Sequence, residues 1–146
     1  MSFQSEPGTI RWKMHFTSPI NKVFDALTSD AGRASFWAEA APEHNGRITF
    51  HILNYDPFSG AILRCEPPRV FKLEYFGTIV QFTLESDKQG GTDLSLLASG
   101  VDEAIRMEMA AGWVSVLMAM KAAVDYGVDL RNHDANRSWK QGYADN

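Results

Sequence analysis

The sequence predicts an α+β domain: a curved antiparallel sheet of about six strands around a long C-terminal helix, with two short helices after the first strand. Three observations carry that expectation. Thr9 to Phe16 alternates, with Ile10, Trp12, Met14 and Phe16 on one phase and Arg11, Lys13 and His15 on the other, the period of a half-buried strand. From Gly46 onward the same period of two recurs in segments divided by turn residues. Asp102 to Tyr126 then switches to helical spacing, with Ile105, Met109, Trp113, Val116, Leu117, Met120 and Val124 in one stripe.

Each element has its own signals. Ser18-Pro19 opens a helix, Ser18 placed as N-cap and Pro19 at the first helical position. Ile20, Val23, Phe24 and Leu27 form its apolar side, and a second short helix is expected from Ser29 through Trp37. Strands follow at Arg47–Leu53, Ala61–Cys65, Val70–Phe76, Ile79–Glu85 and Thr92–Ala98. Tyr55-Asp56-Pro57 with Ser59-Gly60, Pro67-Pro68, Gly77 and Lys88-Gln89-Gly90-Gly91 mark the turns. The last of these predicts an antiparallel hairpin. Ser99 and Asp102 have capping-box spacing before the long helix, and Gly127 is placed to end it in a left-handed cap. At 1.5 Å per residue the helix would run about 37 Å, enough to cross a whole sheet. Met107, Ala110, Ala111, Val114 and Met118 widen its apolar stripe nearly all round, which predicts an enclosed helix.

Length and charge bound the function. A chain of 146 residues without repeat or linker is one domain, residues 1–146, with 127–146 as a tail docked on it. A net charge of −4 and the lack of a Lys/Arg cluster argue against nucleic acid as a partner. Cys65 is the only cysteine, so no intramolecular disulfide forms, and a cytoplasmic location is expected. Met1–Gly8 has no apolar core behind basic residues, so no leader is expected. The apolar run Met109–Met120 is short for a bilayer and flanked by charges, so no membrane span is expected.

No nucleophile elbow, phosphate-binding loop or dinucleotide fingerprint is present. His15, His44, His51 and His133 lack the mutual spacing of helical zinc ligands. Asp129, Asn132, His133 and Asp134 read as a cap-and-turn network, with Arg131 or Arg137 paired to a carboxylate, rather than as a metal site. No catalytic residue, metal or cofactor is therefore assigned. Trp139 and Tyr143 predict that the tail packs on the body. The positive clue is the aromatic supply, nine Phe, four Trp and four Tyr. A cavity between sheet and long helix would be walled by Met14, Phe50, Phe71, Tyr75, Met109, Trp113 and Leu117.

Four stretches resemble a known family: Ser18-Pro-Ile-Asn-Lys-Val-Phe-Asp-Ala-Leu27, Phe36-Trp37, Ala111-Gly-Trp-Val-Ser-Val-Leu117, and the ending from Asp129 to Asn146. The chain resembles the START-like (SRPBCC) superfamily, and within it a bacterial subgroup related to the C-terminal domain of the activator of Hsp90 ATPase. The resemblance implies the helix-grip fold shared with Bet v 1-like proteins. It also implies functions of that superfamily: binding lipids, sterols, polyketides or plant hormones, and in some members cyclase or hydroxylase roles. One fold hosts many functions. The expectation is binding of a small hydrophobic or amphipathic molecule. A cyclase- or hydrolase-type enzyme in the same cavity is the alternative, and a co-chaperone-like interaction domain is the second. The Hsp90 activator docks through an additional N-terminal domain for which this chain has no room, so Hsp90 is not an expected partner; homodimerisation stays open.

Overall fold

The structure is a computed structural model that describes residues 3–146; Met1 and Ser2, the start of the segment read as lacking a leader, lie outside the described residues. Along the chain run β1 (Thr9–Phe16), α1 (Ile20–Thr28), α2 (Asp30–Ala34), β2 (Glu43–His44), β3 (Arg47–Phe50), β4 (Phe58–Glu66), β5 (Val70–Tyr75), β6 (Thr78–Ser86), β7 (Thr92–Ser99) and α3 (Arg106–Tyr126). A single 3-10 turn, Trp139–Gln141, follows in the tail.

The strands form one seven-stranded sheet in the order β1-β7-β6-β5-β4-β3-β2, with every pairing antiparallel. The strand beyond the six expected is β2. It turns into β3 through Asn45 and Gly46, both at positive φ, the backbone that a tight two-residue hairpin requires. A second departure lies at Ser59-Gly60, expected as a turn but paired with Thr49 and Ile48 inside β4. A Cβ on Gly60 would stand 1.9 Å from the Glu74 carbonyl oxygen. Glycine is there because the neighbouring strand passes too close for a side chain, not because the chain reverses.

The inward phase of the sheet is apolar: Ile48 and Phe50, Phe71 and Leu73, Val80, Phe82 and Leu84, Leu94, Leu96 and Ala98 are all buried. Trp113, Leu117, Met120 and Val124 of α3 and Val23, Phe24 and Leu27 of α1 complete the core. This is the helix grip, with α3 as the gripped element. By length and composition α3 could cross a membrane, but its Trp113–Leu117–Met120 edge is used in the core. Enclosure is confined to that edge. Met107, 87% exposed, together with Val114 and Met118 leaves the opposite face open, because the sheet covers one side of a helix only.

The helix ends also differ from expectation. Ser18 does not cap α1; Pro19 occupies the N-cap position. The Ser18 hydroxyl donates instead to the Val124 carbonyl (3.3 Å), while the Ser18 and Thr17 N–H groups donate to Asp125. The last turn of α3 is thereby fastened to the β1–α1 connection. Asp102 accepts from the Ala104 N–H in a local turn, and Val101 N–H donates to the Gly8 carbonyl. That keeps residues 100–105 against β1 and delays α3 to Arg106, so the Ser99–Asp102 capping box does not form. Gly127 does end α3 in a left-handed cap.

Candidate functional site

At the N-terminal half of α3 the grip does not close completely, and a cavity of about 300 Å³ remains. The helix contributes Met109, Gly112, Trp113 and Val116; the ends of β5 and its turn contribute Tyr75 and Phe76; the β3–β4 loop contributes Ile52 and Tyr55. Trp37 comes from the connection after α2, and Trp139 and Asn146 come from the tail.

Trp37 is held in place by the segment around it. Its N–H donates to the Arg33 carbonyl (2.8 Å), and Arg33 is itself fully buried. The Arg33 guanidinium donates to the carbonyls of Ala41 and Leu27 and to the Asp30 carboxylate. Burial lowers the Arg33 pKa, with the charge of Asp30 opposing. A buried cation with every neighbour satisfied fixes a loop firmly. From there the Trp37 ring meets Phe50, Tyr75, Phe82 and Trp113 at centroid distances of 5.1, 5.4, 5.6 and 6.0 Å. Tyr75 also lies 5.2 Å from Trp113. These tilted and edge-on arrangements are the favoured ones for aromatic pairs.

Few polar groups reach this wall. Trp37 Nε1–H is buried and has no hydrogen-bond partner among the described residues. Burial pushes the Tyr75 phenol far up, against a polar contact from the Trp37 side chain that lowers it, so Tyr75 stays protonated. Burial, then the nearby Glu108 charge, also raises Tyr55. Glu108 accepts from Trp139 Nε1–H at 2.9 Å. Among the described residues, no Lys, Arg or His lines the cavity. Gly112 faces Trp139, whose ring would touch a Cβ there at 3.9 Å.

The tail forms one side of the mouth and is held by a polar network. Arg131 donates to the Ala38 and Ala34 carbonyls, each at 2.8 Å, and pairs with Asp129. His133 donates from Nδ1 to Glu39 (2.8 Å) and from Nε2 to Asp129 (2.7 Å). Asn132 binds the Arg137 carbonyl and Asp145, and Asp134 accepts from the Asn136 N–H and pairs with Arg137. Asn54 donates to the Ala135 carbonyl, and Ser115 to the Ala144 carbonyl. Asp129, Asn132, His133 and Asp134 are thus all committed to turns and ion pairs.

Of the seven residues named from the sequence as cavity walls, Tyr75, Met109 and Trp113 line this cavity. Phe50, Phe71 and Leu117 sit in solid core, and Met14 is half-buried on β1 against it. The cavity lies at one end of the grip, where the walls are loops and tail, rather than along its centre. Trp37, Tyr55, Phe76 and Trp139 were not expected there. Among sequence signals, a glycine in mid-helix (Gly112) and aromatics inside turn-rich segments (Tyr55, Phe76) were the available ones.

The family model described as "Activator of Hsp90 ATPase homolog 1-like protein" matches residues 17–125. The chain belongs to this family. Its fold is that of an Aha1-like, START-like domain, as solved structures also show. A Staphylococcus saprophyticus protein is 22% identical, covering 84% of this chain and 96% of its own, with a TM-score of 0.73. The Aha1 dimer from Colwellia psychrerythraea is 19% identical over 82% of this chain and 97% of its own, also at 0.73. DynU16, from the dynemicin biosynthetic locus, is 19% identical over 85% of this chain and 49% of its own, at 0.72. No curated protein matches the sequence.

Proposed function

We propose that this Aha1-like domain binds a small apolar or amphipathic molecule between the sheet and α3. The observation that carries the reading is the aromatic-walled cavity of about 300 Å³, at the lower end of the ~300–1,000 Å³ typical of ligand pockets. Its tail-side wall is held by side-chain hydrogen bonds, as at Trp139 and Glu108. Catalysis by acid or base needs a titratable group free to meet the substrate. The carboxylate on the wall, Glu108, is already bonded to Trp139, which favours binding over a cyclase or hydrolase activity. A cytoplasmic setting fits the exposed, unpaired Cys65.

Native mass spectrometry of freshly purified protein, followed by organic extraction, tests this reading. A reproducible adduct lost on extraction is the expected result. A bare mass, together with no uptake of added apolar compounds, would remove it.

A second assembly reading rests on α3. Its open stripe of Met107, Val114 and Met118 is an apolar face of the kind that marks an interaction surface, and one structural neighbour is an Aha1 dimer. We propose a homodimer through this stripe. Light scattering should show a dimer that Met118→Glu converts to monomer.

A further inference from the structure

The bare stripe on α3 has an internal order. Met107, Ala111, Val114 and Met118 follow one another at intervals of four, three and four residues, the repeat by which one helix packs along another. All four are exposed. Glu103 precedes the stripe and Lys121 follows it, so its two ends carry opposite charge. Arg106 and Asp125 do not disturb that pattern. Arg106 is turned onto the Thr9 carbonyl, and Asp125 onto the Thr17 and Ser18 N–H groups.

The stripe is also bounded. Upstream the helix begins only at Arg106. Downstream Ala122 is buried, and the β1–α1 connection closes on Asp125. The free length, Met107 to Met118, is about 16 Å at 1.5 Å per residue. A copy of the same helix can use all of it only when the two stripes lie directly opposite each other.

The contents of the stripe decide the direction. In a parallel two-fold pair each residue meets itself. Ala111 opposite Ala111 would then leave a hollow between the methionines. Glu103 would face Glu103, Lys121 would face Lys121, and like ends of the helix dipoles would adjoin. In an antiparallel pair, with the axis midway between Ala111 and Val114, every one of these conflicts is relieved.

We infer that α3 pairs antiparallel with α3 of a second copy, Met107 against the partner's Met118, Ala111 against the partner's Val114, and Glu103 beside the partner's Lys121. The inference rests on the homodimer reading above and gives that dimer its register. Each charged group is already steadied within its own protomer, Glu103 by the Gly8 N–H and Lys121 by the His15 carbonyl and Asp125. A carboxylate has a second oxygen and an ammonium a third proton, so both keep capacity for the partner.

The test uses the full chain with Cys65→Ser, which removes its one cysteine, and two further variants, Met107→Cys and Met118→Cys. Mixed and mildly oxidised, they should give a disulfide-linked pair containing one of each. Neither should link to itself, because like residues would lie about 16 Å apart along the pair, beyond the reach of a disulfide. A variant that links to itself would overturn the antiparallel direction. No link in the mixture, while the parent is a dimer that Met118→Glu dissolves, would overturn the register and leave the stripe as the interface. A parent that is monomeric across a concentration series would remove the homodimer reading, and the inference with it. Charge gives an independent check. Met107→Lys and Met118→Glu chains should bind each other at least about tenfold more tightly than either binds itself. Equal affinities would overturn the pairing of residue 107 with residue 118.

Discussion

The two walls of the cavity are built on different physics. The inner wall is the aromatic group of Trp37, Tyr75 and Trp113, backed by Phe82 in the core, with ring centroids 5.2–6.0 Å apart. Its stability comes from burial and packing, which involve no charge to titrate or screen. The outer wall is the tail, held by Arg131, His133, Asn132 and Glu108 through hydrogen bonds and ion pairs at the surface. Interactions of that kind are weaker one by one and respond to pH and ionic strength. The inner wall therefore belongs to the folding core, and the outer wall is the part able to loosen while the core stays intact.

The largest expected effect breaks the inner wall. Trp113 is 2% exposed and touches three other aromatic rings. Trp113→Ala should cost about 3–5 kcal/mol in urea unfolding, the usual range for truncating a buried aromatic. A loss below about 1 kcal/mol would mean that the contacts of the ring with its neighbours add little to the core, and the claimed contrast between the walls would collapse.

Next in size is the joint between core and surface. Burial works against the charge of Asp125. The N–H of Thr17, with Ser18 and the Lys121 ammonium, outweighs it and lowers the pKa from 3.8 to about 2. A depressed carboxyl stabilises the fold above its unfolded pKa, and that stability is lost as pH falls from about 4 through about 2. At 1.36 kcal/mol per unit the shift corresponds to about 2 kcal/mol. Asp125→Asn should therefore be less stable than the parent at pH 7, by an amount of that order, and equal to it near pH 2. A difference that stays constant from pH 7 to pH 2 would show that shape rather than charge matters at this position.

Arg131→Ala tests the outer wall alone. It frees the Ala34 and Ala38 carbonyls, which water then reaches, so the cost should be about 1–2 kcal/mol. Amide exchange should accelerate in residues 129–146 while the Trp113 region keeps its protection. Uniform acceleration through the molecule would mean that the tail and the core unfold as one unit.

The same contrast explains what could be read from the sequence. The grip was legible because periods of two and 3.6 survive wherever one face is buried, as in β1, β5 and α3. Tyr75, Met109 and Trp113 were found on the cavity wall for that reason. Phe50, Phe71 and Leu117 share the same inward phase, and periodicity has no means of separating a filled interior from a void. Trp37, Tyr55, Phe76 and Trp139 lie in irregular segments where no period assigns a face. Phe76 sits at a positive φ of 48°, a turn conformation that aromatic residues seldom adopt. Of the two aromatic residues from which tail packing is read, Trp139 lines the cavity and bonds to Glu108, whereas Tyr143 stays exposed. The buried Arg33 that positions Trp37 was not legible, because its partners are mostly backbone carbonyls and carry no sequence signature.

The smallest predicted effect concerns the hinge of the outer wall. Both ring nitrogens of His133 lie within hydrogen-bond distance of carboxylates, Nδ1 of Glu39 and Nε2 of Asp129. Both must carry protons for both bonds to form, so this arrangement is that of the imidazolium. Its hydrogen bond to Asp129, then the one to Glu39, raises the His133 pKa above 6.5. A raised histidine contributes stability that is complete below the unfolded pKa and is lost as pH rises through the folded one. The tail should thus be pinned at pH 6 and looser at pH 8 to 9. All three side chains are more than one-third exposed, so solvent screening keeps the gain under about 1 kcal/mol, too little for a clear shift in melting. Local probes are the better measure. In the parent, exchange of the Trp139 indole N–H should quicken between pH 6 and pH 9 by more than the intrinsic pH dependence. In His133→Gln only the intrinsic dependence should remain. A His133 ring that titrates at or below 6.5 by NMR would leave the tail without this control, and the pH sensitivity assigned to the outer wall would have to come from elsewhere.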